Sequence, residues 1–176
     1  MFARTPRLLL RPGFPEDAPA LAGAIGDETI VRNLASAPWP YRMRDAEAFL
    51  ASPRDPILPS LLIFERGQGA PQLVGSCGLG RRPSGAVEMG YWIARPFWGR
   101  GYATEALKLA VDFAFGTLGL ARLEDDIDPR NEPSCRLVER IGFIREGLLR
   151  ERWYVAGEVT DSAMYGLLAR EHISSL

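Results

Sequence analysis

The sequence predicts an α+β protein: a mixed, mostly antiparallel sheet of six or seven strands with about four flanking helices. Three observations lead there. Between Leu61 and Ile93, short apolar runs cut by turn residues follow one another as a meander does. A long amphipathic pattern comes next, with Ala106, Leu107, Ala110, Val111, Ala114 and Phe115 on one broad stripe. Two more strand patterns close the chain after a short helix, which departs from the strict alternation of a parallel, doubly wound sheet.

The elements justify themselves in order. Residues 7–11 read as a strand, and Pro15 opens a helix with Ala18, Leu21, Ala22 and Ile25 on one side. A second helical patch covers 45–51, after the break at Pro38-Trp39-Pro40. Strands follow over 61–66, 73–82 and 86–93, separated by turns at 67–71 and 83–85. The long helix spans 101–117, a strand 122–127, a short helix 131–140, and the closing strands 143–155 and 161–168. No repeat or low-complexity tract appears, and Pro and Gly punctuate the whole length, so one domain over 1–176 is expected.

Composition narrows the function classes. With 47% apolar and 24% charged residues and a net charge of −1, the chain lacks the basic footprint that nucleic acid or anionic lipid demands, so neither is expected as a partner. Cys77 and Cys135 are too few for a disulfide framework and lack zinc-site spacing; a reducing cytoplasm is the expected location and no metal is expected. The Leu8-Leu9-Leu10 run is far shorter than a signal-peptide core, and no window approaches the ~18 apolar residues of a membrane span.

The most informative stretch runs from Tyr91 to Ala106, where a strand enters a tight turn and a helix opens. Gly99 and Gly101 lack a Cβ, so the backbone there can take unusual angles and a ligand can approach its N–H groups. At a helix start those groups have no internal partner, and the aligned peptide dipoles place about half a positive charge beside them. The product is an anion site. Alone, Gly-x-Gly would merely permit a sharp turn. The spacing is neither the dinucleotide fingerprint, since Thr104 stands where a third glycine or alanine belongs, nor a Walker loop.

Trp98-Gly99-Arg100-Gly101-Tyr102-Ala103-Thr104-Glu105-Ala106, followed in order by Asp128-Pro129-Arg130-Asn131-Glu132-Pro133-Ser134 and by Ile141-Gly142-Phe143, makes a wider pattern that resembles the GNAT acyltransferase superfamily. It covers Ile63 to about Glu171. It is closest to the branch of ribosomal-protein N-terminal acetyltransferases and their small-molecule relatives, whose opening Thr5-Pro6-Arg7-Leu8-Leu9-Leu10-Arg11 also fits. The resemblance implies acetyl-CoA as cofactor, its pyrophosphate cradled by the amides of Gly99, Arg100, Gly101, Tyr102 and Ala103, with Thr104 close by. Trp98 replaces the usual Gln or Arg, as is common in this branch. The fourth and fifth strands, 86–93 and 122–127, would splay apart and leave the backbone of Tyr91, Trp92, Ile93 and Ala94 free to pair with the pantetheine amides.

Acetyl transfer to an amine needs a deprotonated amine, a stabilised oxyanion and a proton for the departing thiolate. An α-amine, with a pKa near ~8, needs little help, so a carboxylate acting through water suffices. By resemblance Glu88 is the first choice as base; as an ordinary strand glutamate it would only face solvent, whereas burial beside Tyr91 and Trp92 would raise its pKa. Asn131 is a plausible N-cap by type, and the resemblance takes it to the pantetheine arm. Ser134 would sit near the cofactor sulfur as a hydrogen-bond donor, because the tyrosine acid of many members, one turn later, is Val138 here. Cys135, without a histidine partner, is not expected to act as a nucleophile.

Alternation puts Glu124, Asp126 and Asp128 on one strand face and Asp125 on the other. They make either a solvated strand end or an anionic mouth for a cationic amine, with Asp125 or Asp126 helping to bind the acceptor. Trp39 is the aromatic expected to touch substrate, Trp153 and Tyr154 could wall the same pocket or an interface, and His172, near the end, is expected to be exposed. The expected partner is an amine, either a small molecule or a protein N-terminus, acetylated by direct attack in a ternary complex by a monomer or homodimer. A catalytically silent acyl-CoA-binding or sensor domain would keep the turn but lack a working base. A nucleotide-binding module would need a parallel sheet, against the early meander.

Overall fold

The computed structural model describes residues 2–34, 37–67, 69–155 and 158–172, without the side chains of 153–155. Its strands are β1 (Ala3–Arg4), β2 (Leu8–Arg11), β3 (Ser60–Glu65), β4 (Gln72–Arg81), β5 (Val87–Ile93), β6 (Arg122–Ile127), β7 (Ile144–Val155) and β8 (Glu158–Leu168). They join in one sheet in the order β1-β2-β3-β4-β5-β6-β8-β7. The helices are α1 (Ala18–Ile25), α2 (Glu28–Val31), α3 (Met43–Ala51), α4 (Tyr102–Gly116) and α5 (Glu132–Ile141). This is the mixed, mostly antiparallel α+β architecture expected, with two additions. β1 is two residues and α2 four, too short for either periodicity to register; α2 is started by Asp27, whose side chain accepts from the Thr29 N–H.

Every neighbouring pair is antiparallel except β5 and β6, which are parallel and meet only at Glu88 and Glu124. Beyond that single pair the two strands diverge. The opening is kept because each strand is held on its far side: β5 by seven residue pairs with β4, β6 by six with β8.

Strand alternation then assigns the faces. Val87 and Met89 pack with Ala106, Leu107, Val111 and Leu123 on the α4 side. Glu88 and Trp92 point the other way, where Trp92 lies against the clusters built by α1, α2 and α3. Helix α4 covers its face because its stripe is continuous: Ala106, Leu107, Val111 and Ala114 are wholly buried. Among the described residues no helix is long and apolar enough to cross a membrane.

Candidate active site

The turn after β5 is set by its backbone. Ala94 leads into a 3-10 turn (Arg95–Phe97), Trp98 Nε1 donates to the Ile93 carbonyl at 2.6 Å, and the chain then swings through Gly99 (φ 74°) and Gly101 (φ 79°) into α4. A Cβ on Gly99 would meet nothing within 4 Å, and one on Gly101 only Arg7 Nη2 at 3.5 Å. Glycine is required there for the left-handed backbone, not for space. Gly101 caps α4 without a side-chain bond, and its carbonyl accepts from the Glu105 N–H at 3.1 Å. Among the described residues none accepts from the amides of Gly99, Arg100, Gly101, Tyr102, Ala103 or Thr104. Those donors, at the positive end of a fifteen-residue helix, fit a diphosphate.

Arg7 braces this turn from near the start of the sequence. It donates from Nε to Glu105 Oε2 at 2.7 Å and from Nη1 to the Arg100 carbonyl at 2.8 Å, and it lies 4.7 Å over the Tyr102 ring. Thr5 also donates its hydroxyl to Glu105. The sequence pattern includes Thr5 and Arg7 but assigns neither a task; contact across nearly a hundred residues leaves no local signal.

Beside the turn lies a cavity of about 620 Å³ lined by Trp98, Gly99, Gly101, Ala103, Thr104 and Leu137, among others. The β5 backbone is less available to it than expected. The Ala94 N–H donates to the Val74 carbonyl at 2.8 Å, and the Ile93 carbonyl is taken by Trp98. Since Ala94 bonds on the β4 side, alternation turns the backbone of Tyr91 and Ile93 toward the splay, and Trp92 and Ala94 away from it.

A second cavity of about 740 Å³ opens between the sheet, α3 and the stretch that follows α2, lined by Tyr41, Phe49, Glu88, Asp125 and Asp126, among others. The two cavities share Asn33, Leu34, Tyr91, Trp92, Asn131 and Ser134, so they meet at the splay. Trp39 is half exposed and lines neither; its neighbours Pro38 and Tyr41 form the wall instead. Trp153 and Tyr154 have side chains outside the described part.

The junction is acidic and partly dry. Glu88 has a half-buried side chain, and burial pushes its carboxyl above the ordinary value; Arg82 pulls it back, while Asp126 and Glu124 push it up again. Asp125, 5% exposed, is pushed well up by burial, with Glu88 and Asp126 adding like charge. Its Oδ2 has no hydrogen-bond partner among the described residues, and neither has the buried Tyr91 hydroxyl, which faces Asp125 and Ser134. No local sequence signal marks that hydroxyl, because its position depends on strand register.

Asn131 caps α5: its Oδ1 accepts from the Ser134 N–H at 3.4 Å, which also reaches the Asn131 carbonyl at 3.0 Å. Val138 is fully buried in the core. Burial pushes the Cys77 thiol up to about 12, so it stays protonated. His172 is not exposed as expected: its Nε2 lies 2.6 Å from Asp112 and its ring 5.4 Å from Phe115, because the Ala169 N–H bonds the Ala121 carbonyl and brings residues 169–172 to α4.

Residues 7–144 match the family profile described as acetyltransferase (GNAT) domain. The chain belongs to the GNAT acetyltransferase family. Among curated GNAT relatives, the uncharacterized N-acetyltransferase p20 of Bacillus licheniformis is 37% identical over 57% of this chain and 58% of its own length. The uncharacterized N-acetyltransferase YoaA of Bacillus subtilis is 30% identical over 93% of this chain and 94% of its own. Several other matches, like that to p20, span about half the relative's length. Among solved GNAT structures, Mycobacterium smegmatis RimJ in complex with CoA-disulfide superposes with a TM-score of 0.79 at 25% identity, covering 93% of this chain and 83% of that one.

Proposed function

We propose that this GNAT protein is a cytoplasmic N-acetyltransferase of the ribosomal-protein N-terminal acetyltransferase branch, acting on a primary amine by direct attack in a ternary complex within one domain over 1–176. The observation that carries the reading is the meeting of two cavities at the splay, one beside the unpaired amides and one lined by carboxylates. The likeness to RimJ, solved with CoA-disulfide, supports it.

In this reading acetyl-CoA would supply an activated acetyl group, and the proton that Glu88 removes from the amine would return through water to the departing sulfur. The amides from Gly99 to Ala103, with Thr104, would hold its diphosphate, and Asn131, the Tyr91 backbone and the Ile93 N–H would hold its amide arm. Glu88 takes the proton of the attacking amine, directly or through water; its raised carboxyl is a better base than an ordinary glutamate. Ser134 donates a hydrogen bond at the thiolate. Asp125 and Asp126 give the second cavity a negative potential that draws a cationic amine, a small molecule or a protein N-terminus.

Calorimetry with coenzyme A, followed by an acetyl-CoA consumption screen over spermidine and peptides beginning with Ser, Ala or Met, tests this. Binding with turnover of at least one amine, slowed about 10²-fold or more by Glu88→Gln at neutral pH, is the expected result. Binding without turnover of any amine would make the chain a silent acyl-CoA binder, and no binding of coenzyme A would overturn the reading entirely.

A further inference from the structure

One cation stands among the carboxylates of the splay. Arg82, immediately after β4, has a side chain only 12% exposed. Its Nη2 lies 2.9 Å from Glu88 Oε1, its Nη1 2.8 Å from Asp126 Oδ2 and its Nε 4.0 Å from Glu124 Oε2. Arg82 Nε and Nη2 and both Asp126 oxygens complete no aligned hydrogen bond among the described residues. The guanidinium therefore sits between three carboxylates and acts on them mainly through its charge.

We propose that Arg82 is a positioning residue for the base: it draws the Glu88 side chain to the mouth of the splay and keeps it ionised among like charges. This rests on the reading of Glu88 as the base. The surrounding charges make the requirement plain. Glu124 and Asp126 face Glu88 from β6, Asp125 adds like charge from the other face of that strand, Asp128 lies just past it, and Asp45 of α3 lines the same cavity. Three other arginines are near, of which Arg130 is paired with Asp128 at 2.7 Å. Arg122 is committed to Glu124 at 2.9 Å and to Glu146 at 2.9 Å, and Arg32, across the cavity, pairs with Glu28.

An arginine cannot lose its proton in this environment, and its planar fork reaches several oxygens at once, so Arg82 supplies a permanent counter-charge. Without it, Glu88 would keep the like charges of Asp126 and Glu124 and lose the one close opposite charge it has among the described residues. Proton affinity would then rise, and the carboxyl would be filled at a pH where the base must be empty.

The test is a carboxyl-carbon NMR titration of the full chain labelled with ¹³C-glutamate, the Glu88 resonance being identified by its loss in Glu88→Gln. In Arg82→Met the Glu88 midpoint should rise by about one pH unit or more, and Arg82→Lys should restore most of the difference. Should Arg82→Met not fold, Arg82→Gln reads the same midpoint. With spermidine or a Ser-initial peptide as acceptor, the acid limb of kcat/KM should move the same way. A merely structural arginine would lower the melting temperature and leave the midpoint in place; that result in a folded variant overturns the inference. If instead the midpoint moves but Glu88→Gln turns over as fast as the parent, Arg82 does tune Glu88 and the base assignment is what fails.

Discussion

Arg7 donates from Nη1 to the carbonyl of Arg100 at 2.8 Å, fastening the approach to β2 onto the turn that opens α4. The bond orients the Arg100 peptide while leaving the neighbouring amides unpaired, and the ion pair to Glu105 fixes the guanidinium that makes it. Arg7→Met should weaken coenzyme A binding by about 1 kcal/mol, roughly fivefold in Kd by calorimetry. An unchanged Kd would show that the turn holds its shape without the brace.

Gly101→Ala isolates backbone conformation from space, because the added methyl meets only the flexible end of Arg7 at 3.5 Å while φ stands at +79°. Forcing alanine there costs about 1–2 kcal/mol, so both the melting temperature and coenzyme A affinity should fall. Gly101→Asn should lose less, since asparagine tolerates the left-handed region. Equal losses in the two variants would point to a steric cause.

Ser134→Ala should slow turnover by only about tenfold, within the range for loss of one hydrogen bond in a low-dielectric site, because the Tyr91 hydroxyl faces the same spot. Tyr91→Phe should have an effect of similar size, and the double variant should lose more than the two single losses combined. Purely additive losses in a steady-state double-mutant cycle would separate the two hydroxyls.

Asp125 carries a pH signature in stability. Its carboxyl is raised in the folded protein by burial and by the like charges of Glu88 and Asp126. The stability this protonated group provides is fully present below the unfolded value of about 3.9 and is lost as pH rises through the folded value. Asp125→Asn removes that loss, so its melting temperature relative to the parent should climb steadily above pH 4. A difference independent of pH would mean that Asp125 titrates normally.

Much of the fold was legible because its signals are local. The stripe of α4, the turn residues between β3, β4 and β5, and the Asn131 cap each declare themselves within a few residues. The corrections fall where a partner lies far away in sequence. His172 looked like a fraying end until the Ala169 to Ala121 bond placed it on α4, and Trp39 ceded the cavity wall to Tyr41. The Ile93 carbonyl looked open until the Trp98 indole claimed it.

By itself, the sequence determined that Gly99 and Gly101 could lead a strand into a helix start with bare amides, since left-handed backbone and missing caps are properties of residue type. It also set Glu88 and Asp126 on strands. Only the tertiary structure decided that Arg82 stands between them, that Arg7 holds the turn, and that the Tyr91 hydroxyl faces Ser134 at the junction of two cavities. Those relationships depend on strand register and on how far β5 and β6 diverge, and both are set by packing across the whole sheet.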